Sequence, residues 1–435
     1  MMSRLATDDI DAMVLAYGTP LYSYDLGEVE RRAIELFGIL PLGSTLLYSL
    51  KANPLPTIVE HLRRSGCGAE VSSVGELRVA VRAGFDPSSI LYTGPGKSQA
   101  EVLAALSAGV THFSVESWTD LKRLKETAAA SCRAVECLLR INPPGPAHAK
   151  LSMVGSDSRF GFEPDDLAAG VARLEGLVPY VEIIGFHIYH GTQVEGPVEF
   201  LKNTRAAIQV AEDVAERMSL RFQVLDVGGG FPWPYARPGV GPGLDGLRQA
   251  LAELLAERER AATHLWFESG RYFTASSGTL LTTVLDVKRT RGGRTLVILD
   301  TGIHHLGGMS GLGRLPRVAI SLSASGGAER DTTSPQELVD LVGPLCTPLD
   351  CLARDVRMPC PRVGDVLRIP NVGAYGLTAS LYGFLSRPSA VEVVHRDGRV
   401  VGIFQLRTGH RQLALETVRS QRDPLGDGQR AGKEI

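Results

Sequence analysis

The chain has 435 residues, too many for one small core, so two domains are expected. Its 44% hydrophobic and 22% charged residues make the composition of an ordinary soluble globular protein. A net charge of −2 leaves no basic footprint, which argues against nucleic acid and anionic lipid as partners. No apolar run reaches the length of a bilayer span, and MMSRLATDDIDAM lacks a signal-peptide core. The six cysteines (Cys67, Cys132, Cys137, Cys346, Cys351, Cys360) are scattered without CxxC spacing. They read as reduced thiols, not a disulfide frame or a metal site, and the protein reads as cytoplasmic.

In chain order, PLYSYD (20–25) comes first and reads as a strand that joins a later β domain. Then eight short β-branched and aliphatic runs follow: STLLYSL, GAEVSS, SILYTG, THFSVES, ECLLRINP, VEIIGFHIY, FQVLDVGGG and HLWFESG. Between them lie amphipathic stretches such as PTIVEHLRRSG, VGELRVAVRAG and AEVLAALSAG, each ending at glycine as helices commonly do. Eight strand–helix alternations fit a (β/α)8 barrel of about 250 residues. The expected barrel spans 28–285. An open doubly wound sheet shares the alternation and stays open on pattern alone. After about residue 280 the segments LLTTVLDVKRT, GRTLVILDTG, DVLRIPNVGAY, SAVEVVHRDG and RVVGIFQLRTG are β-rich and turn-punctuated. They predict an antiparallel β domain made of 286–418 together with 1–27. The polar remainder, 419–435, reads as a disordered tail.

Barrel enzymes mount their chemistry at the C-terminal ends of the strands. The first strand ends at Lys51, the sixth in GFHIYHGTQ, the seventh in DVGGGFP and the eighth in ESGR. Gly228, Gly229 and Gly230 leave backbone N–H groups open to a phosphate, and Arg271 on the next strand can fork onto the same anion. A phosphate site beside a strand-end amine suggests pyridoxal 5'-phosphate. Lys51 supplies the amine that holds the aldehyde, Glu268 an acid at the pyridine nitrogen, and His187, Tyr189 or His190 a ring against the cofactor face. Taken singly, each of these residues is more often structural; their conjunction carries the reading.

These motifs resemble the fold-type III pyridoxal-phosphate decarboxylases, which include diaminopimelate, ornithine and arginine decarboxylases. The likeness runs from about residue 17 to about 415, through YSLKAN, GAEVSSVGEL, LRINP, SRFGF, HIYHGTQ, DVGGGFP, ESGR, GPLCTPLD and GAYG. The resemblance implies that Lys51 binds the cofactor covalently and that Glu268 binds the pyridine nitrogen. It places Gly228, Gly229, Gly230, Gly270, Arg271 and Tyr375 around the cofactor, and makes Cys346 the acid that protonates the carbanion after CO2 departs. Asp350 and Thr347, in the same loop, are placed near the substrate. Because the family's cysteine loop crosses to the partner subunit, a homodimer with shared active sites is implied.

Four departures from the family pattern bear on substrate. Tyr189 occupies the second position of the usual His-x-His pair, behind His187. Ser269 replaces the proline of Glu-Pro-Gly-Arg, and Tyr382-Gly383 replaces a Tyr-Asn. Diaminopimelate decarboxylases carry an acid directly after the loop cysteine to receive the distal amine, and this chain has Thr347. FHIYHGTQ, GPGKS, GPLCTPLD and FLSRP are more similar to the specialised branch of natural-product clusters. That branch includes the butirosin-pathway decarboxylase of carrier-tethered glutamate. The expectation is decarboxylation of an α-amino acid, free or tethered to a carrier protein, in specialised biosynthesis. Diaminopimelate decarboxylation, an amino-acid racemase and a non-catalytic barrel homologue are the alternatives; Asp350 or Glu70 is the acid that could replace the missing one.

Overall fold

The computed structural model describes residues 7–143, 158–194, 196–256, 264–307, 321–323 and 335–410. The expected tail at 419–435 lies outside these. Eight parallel strands close into a barrel: β2 (Thr45–Ser49), β3 (Gly68–Val71), β4 (Ile90–Tyr92), β5 (His112–Val115), β6 (Val135–Ile141), β7 (Val181–Ile188), β8 (Val224–Asp226) and β9 (His264–Ser269). Closure is direct, because β9 pairs in parallel with β2 through Trp266–Thr45 to Ser269–Tyr48. The open doubly wound sheet is thereby excluded.

The crossover helices follow from local signals. After α1 (Thr7–Tyr17) and α2 (Leu26–Ile39) come α3 (Pro56–Arg64), α4 (Val74–Arg82) and α5 (Gln99–Ser107). The Ser73 side chain caps α4 by accepting from Glu76 N–H, and Ser98 and Glu101 form a capping box on α5. Gly66, Gly84 and Gly109 follow these helices at φ +96°, +84° and +91°, where an L side chain is strained.

Strand alternation then builds the barrel interior in two levels. Leu47, Leu91, Leu138, Ile184, Val224 and Trp266 form one buried apolar cluster. Two residues further on, the same faces carry Ser49, Thr93, Arg140, Asp226 and Glu268, all buried. An apolar plug thus sits beneath a polar layer at the C-terminal mouth. This layer positions the site.

The second sheet holds β1 (Leu21–Asp25), β10 (Gly278–Arg289), β11 (Thr295–Leu299), β12 (Ser321–Ser323), β13 (Gln336–Val342), β14 (Cys351–Pro359), β15 (Val366–Pro370), β16 (Val391–Arg396) and β17 (Arg399–Gln405). Its main order is β14-β13-β11-β10-β1-β16-β17. The sheet is mixed, which corrects the antiparallel expectation: β1 pairs in parallel with β16, and β11 with β13. Parallel neighbours need a long crossover, and the barrel together with β10 to β15 lies between β1 and β16 in the chain. After the barrel the sheet resumes at Gly278, so a domain cut at 285/286 would split the twelve-residue β10, whose first residues pair with β1.

Candidate active site

Lys51 stands in a short 3-10 turn (Leu50–Ala52) directly after β2. Its Nζ donates to both oxygens of Glu70, at 2.8 and 2.6 Å. The lysine side chain is 43% exposed at the barrel mouth, whereas Glu70 is 2% exposed, so the amine is reachable and its partner is not. Burial alone would pull the ammonium's pKa down, but Glu70, Glu268 and Tyr375 raise it above the ordinary value. Burial pushes Glu70 up; the Lys51 charge, with hydrogen bonds from Lys51, Thr93 and Ser49, brings it below the ordinary carboxylate value. Thr93 Oγ1 donates to Glu70 Oε1 at 2.6 Å.

Beside this pair, three buried groups converge. His187 Nε2, Asp226 Oδ2 and Glu268 Oε1 have no hydrogen-bond partner. One nitrogen or oxygen from each lies within 4.8 Å of the others, and His187 Nε2 is 3.7 Å from Glu268 Oε1. Burial first, and then Arg140, Lys51 and Lys97, hold the imidazole far below its ordinary pKa, so it is neutral. Burial, then the charges of Glu70 and Asp226, push Glu268 well above the carboxylate range. Asp226 is raised by burial to about 7. A buried, orphaned acid at the barrel mouth fits a ligand nitrogen that carries or takes a proton.

The glycine loop follows Asp226, whose Oδ1 accepts from Gly228 N at 2.8 Å. A Cβ at Gly229 would collide with the Glu268 carbonyl oxygen, and one at Gly228 with the Tyr189 ring. The loop therefore needs glycine to lie between β7 and β9, and Tyr189 packs its ring directly on it. Gly270 gives similar room to the lysine turn, since a Cβ there would meet Ala52 Cβ at 2.7 Å. Arg271 lies over two rings, 4.8 Å from the Tyr375 centroid and 5.7 Å from that of Tyr235, with its Nε unpartnered. Tyr375, at φ +54°, donates its N–H to Ala52 O at 2.7 Å, which ties the GAYG loop to the lysine turn. His190 is half-buried, and desolvation lowers it to about 4.

A reachable amine, an orphaned acid, an aromatic ring and a glycine cradle beside a stacked arginine fit pyridoxal phosphate at each of its functional ends. Residues 26–275 match the family model described as the pyridoxal-dependent decarboxylase, pyridoxal binding domain. The chain belongs to the pyridoxal-dependent decarboxylases. It is 30% identical over 394 residues to the L-glutamyl-[BtrI acyl-carrier protein] decarboxylase of Niallia circulans, covering 90% of this chain and 92% of that one. It is 32% identical over 408 residues to the diaminopimelate decarboxylase of Vibrio cholerae, covering 92% and 93%. Diaminopimelate decarboxylase from Helicobacter pylori complexed with L-lysine superposes with a TM-score of 0.79 at 25% identity, covering 96% and 100%. The chain is a pyridoxal-phosphate-dependent decarboxylase, a carboxy-lyase.

The cysteine loop of this decarboxylase joins β13 to β14. Cys346 is exposed and Thr347 half-buried; among the described residues no hydrogen bond or ion pair joins either to the barrel cluster. Asp350 holds its own loop together. It is buried, its Oδ1 accepts from Ile303 N at 2.8 Å and its Oδ2 from Leu345 N at 2.7 Å. Its carboxylate braces the loop. Asp350→Ala is expected to lower stability by ~1–3 kcal/mol for each orphaned N–H, read as a drop in the urea midpoint. Unchanged stability with a sharply raised KM would return Asp350 to the substrate.

Several supporting residues escaped the sequence reading. Glu70 is the lysine's partner, not a free acid. Ser114 Oγ lies 2.9 Å from His187 Nδ1 and fixes that ring. Asn53 Nδ2 donates to Gly373 O at 2.9 Å, and Tyr235 OH to Tyr375 O at 2.9 Å. Trp233 Nε1 donates to Asn371 Oδ1 at 3.0 Å, clamping the loop after β8 to the second sheet. A usable signal existed for Asn53, Glu70 and Asp226, through their places in KAN, GAEVSS and DVGGG.

Proposed function

We propose that this decarboxylase acts on an α-amino acid whose distal end carries no free ammonium, held elsewhere or tethered to a carrier protein, in a specialised biosynthetic pathway. The observation that carries the proposal is the fate of the acids that could receive a distal amine. Thr347 stands where a carboxylate would receive a distal amine, Asp350 is taken up by backbone N–H groups, and Glu70 by Lys51. A buried ammonium without a counter-charge costs several kcal/mol. The Niallia relative, by its name, acts on a carrier-bound glutamyl group, which supports the same reading.

Bound pyridoxal phosphate supplies an aldehyde that captures the amino group and a protonated ring that accepts the electrons released with CO2. Lys51 Nζ would hold the aldehyde carbon between turnovers, with Glu70 beside it as the counter-charge of the lysine nitrogen. Glu268 keeps the ring nitrogen protonated. Gly228–Gly230 and Arg271 hold the phosphate, with Tyr375 beside them, and Tyr189 covers a ring face. Cys346 Sγ–H delivers the proton that replaces the carboxylate at Cα. An exposed Cys346 on the second sheet reaches a barrel mouth if two subunits pair, so the working unit is a cytoplasmic homodimer with shared sites.

The test is kcat/KM for free diaminopimelate, ornithine and lysine against carrier-bound glutamate. Free diaminopimelate is expected to be at least about a hundredfold poorer than the best substrate, since each 1.4 kcal/mol is about tenfold. Turnover of diaminopimelate within about tenfold of the best substrate would favour lysine-pathway chemistry instead, the activity named for the Vibrio relative.

A further inference from the structure

Asp226 is wholly buried, and its two oxygens face different tasks. Oδ1 accepts Gly228 N–H at 2.8 Å, while Oδ2 has no partner, and one carboxylate oxygen lies within 4.8 Å of Glu268 and His187. The charges around it can be matched one by one. Lys51 is paired with Glu70 at 2.6 Å, and Arg140 with Glu116 at 3.0 Å. The imidazole of His187, from β7, is neutral. Glu268, from β9, is the counter-charge for one further cation, the protonated ring nitrogen. A charged Asp226 would be the single unmatched buried charge in this layer, a state that folded proteins avoid by neutralising the group.

We infer that Asp226 stays a protonated, neutral carboxylic acid when the cofactor is seated, leaving Glu268 as the one carboxylate facing the ring nitrogen. Its Oδ1 meanwhile fixes the first N–H of the phosphate loop. The proton accounting is simple. Glu268 gives its proton to the ring nitrogen and keeps the negative charge; the Asp226 O–H does not move. Asp226 is thus a positioning residue that links the nitrogen and phosphate ends of the site. The inference rests on the reading of this site as a pyridoxal-phosphate site.

Asp226→Asn tests it, because the amide is neutral, keeps the acceptor for Gly228 N–H and leaves an N–H where the acid has its O–H. Pyridoxal phosphate is expected to bind this variant within about threefold of wild type, and Asp226→Ala about tenfold more weakly for want of the acceptor. A second readout needs no cofactor. Asp226 is raised to about 7 in the fold, against about 3.9 unfolded, so the wild type loses stability as pH rises through that window. The melting temperature of Asp226→Asn relative to wild type is therefore expected to be higher at about pH 8 than at about pH 5. A hundredfold loss of cofactor affinity in Asp226→Asn would mean that the charge itself is needed, and would overturn the inference. A melting difference independent of pH would overturn it too. Failure of the wild type to bind pyridoxal phosphate would instead strike the functional reading, leaving the cofactor-free melting comparison to judge Asp226.

Discussion

Lys51→Ala is expected to abolish covalent capture of pyridoxal phosphate and to cut turnover by at least about a thousandfold, the scale on which a removed nucleophile acts. Absorbance of the bound cofactor and borohydride trapping followed by peptide mass mapping read the first effect. The variant is expected to fold, since the side chain stands 43% exposed at the barrel mouth and adds little to the core. It will not be neutral, however, because Glu70 loses its partner. In the wild type the lysine holds the Glu70 carboxyl below its ordinary value. That pairing contributes stability above the unfolded carboxyl pKa of about 4.3 and loses it as pH falls through the folded value. Without Lys51, burial dominates, the carboxyl rises, and stability is instead lost as pH climbs. The melting-temperature gap between wild type and variant is expected to be wider at about pH 7 than at about pH 4. Trapping of a different lysine in the wild type would refute the assignment.

The barrel was legible because its strands are short apolar runs separated by helices with serine caps and terminal glycines, all local signals. The two levels inside it follow from period-2 alternation: Leu138 and Arg140, Val224 and Asp226, Trp266 and Glu268 share faces two residues apart. What the sequence hid are contacts made across long separations. The parallel place of β1 beside β16 depends on pairing across the whole barrel, and no pattern within LYSYD records it. The resemblance places Asp350 near the substrate, and Glu70 enters only as an alternative acid for a distal amine. Their partners, Lys51 in one case and two backbone N–H groups in the other, appear only once the chain is folded. Asp226 lay inside a recognised motif, but the glycines after it drew the phosphate reading. Its second oxygen acquires meaning from Glu268, on a different strand.

Cys346→Ala is the counterpart to the lysine variant, with a different signature. Cofactor binding is expected to persist, since nothing in the barrel layer depends on the thiol. Formation of the amine product is expected to fall by about a hundredfold to ten-thousandfold, the range for loss of a positioned general acid. CO2 release is expected to fall less than amine formation, because the carboxylate leaves before the thiol acts and the proton can then be misdelivered. Comparing CO2 with amine yield, substrate by substrate, reads that uncoupling. Equal losses of both would place Cys346 outside protonation. The proposed sharing of sites between subunits gives a further test. In a C2 dimer whose cysteine loop serves the partner's barrel, Lys51→Ala and Cys346→Ala subunits each carry what the other lacks. After equal mixing and exchange, half of the dimers are mixed and each holds one intact site, so about a quarter of wild-type activity is expected to return. If subunit exchange is demonstrated by mass and activity stays at the level of the separate variants, the loop serves its own chain or none. In the first case the same Cys346→Ala losses are expected from a monomer, and in the second Cys346 is not the proton donor.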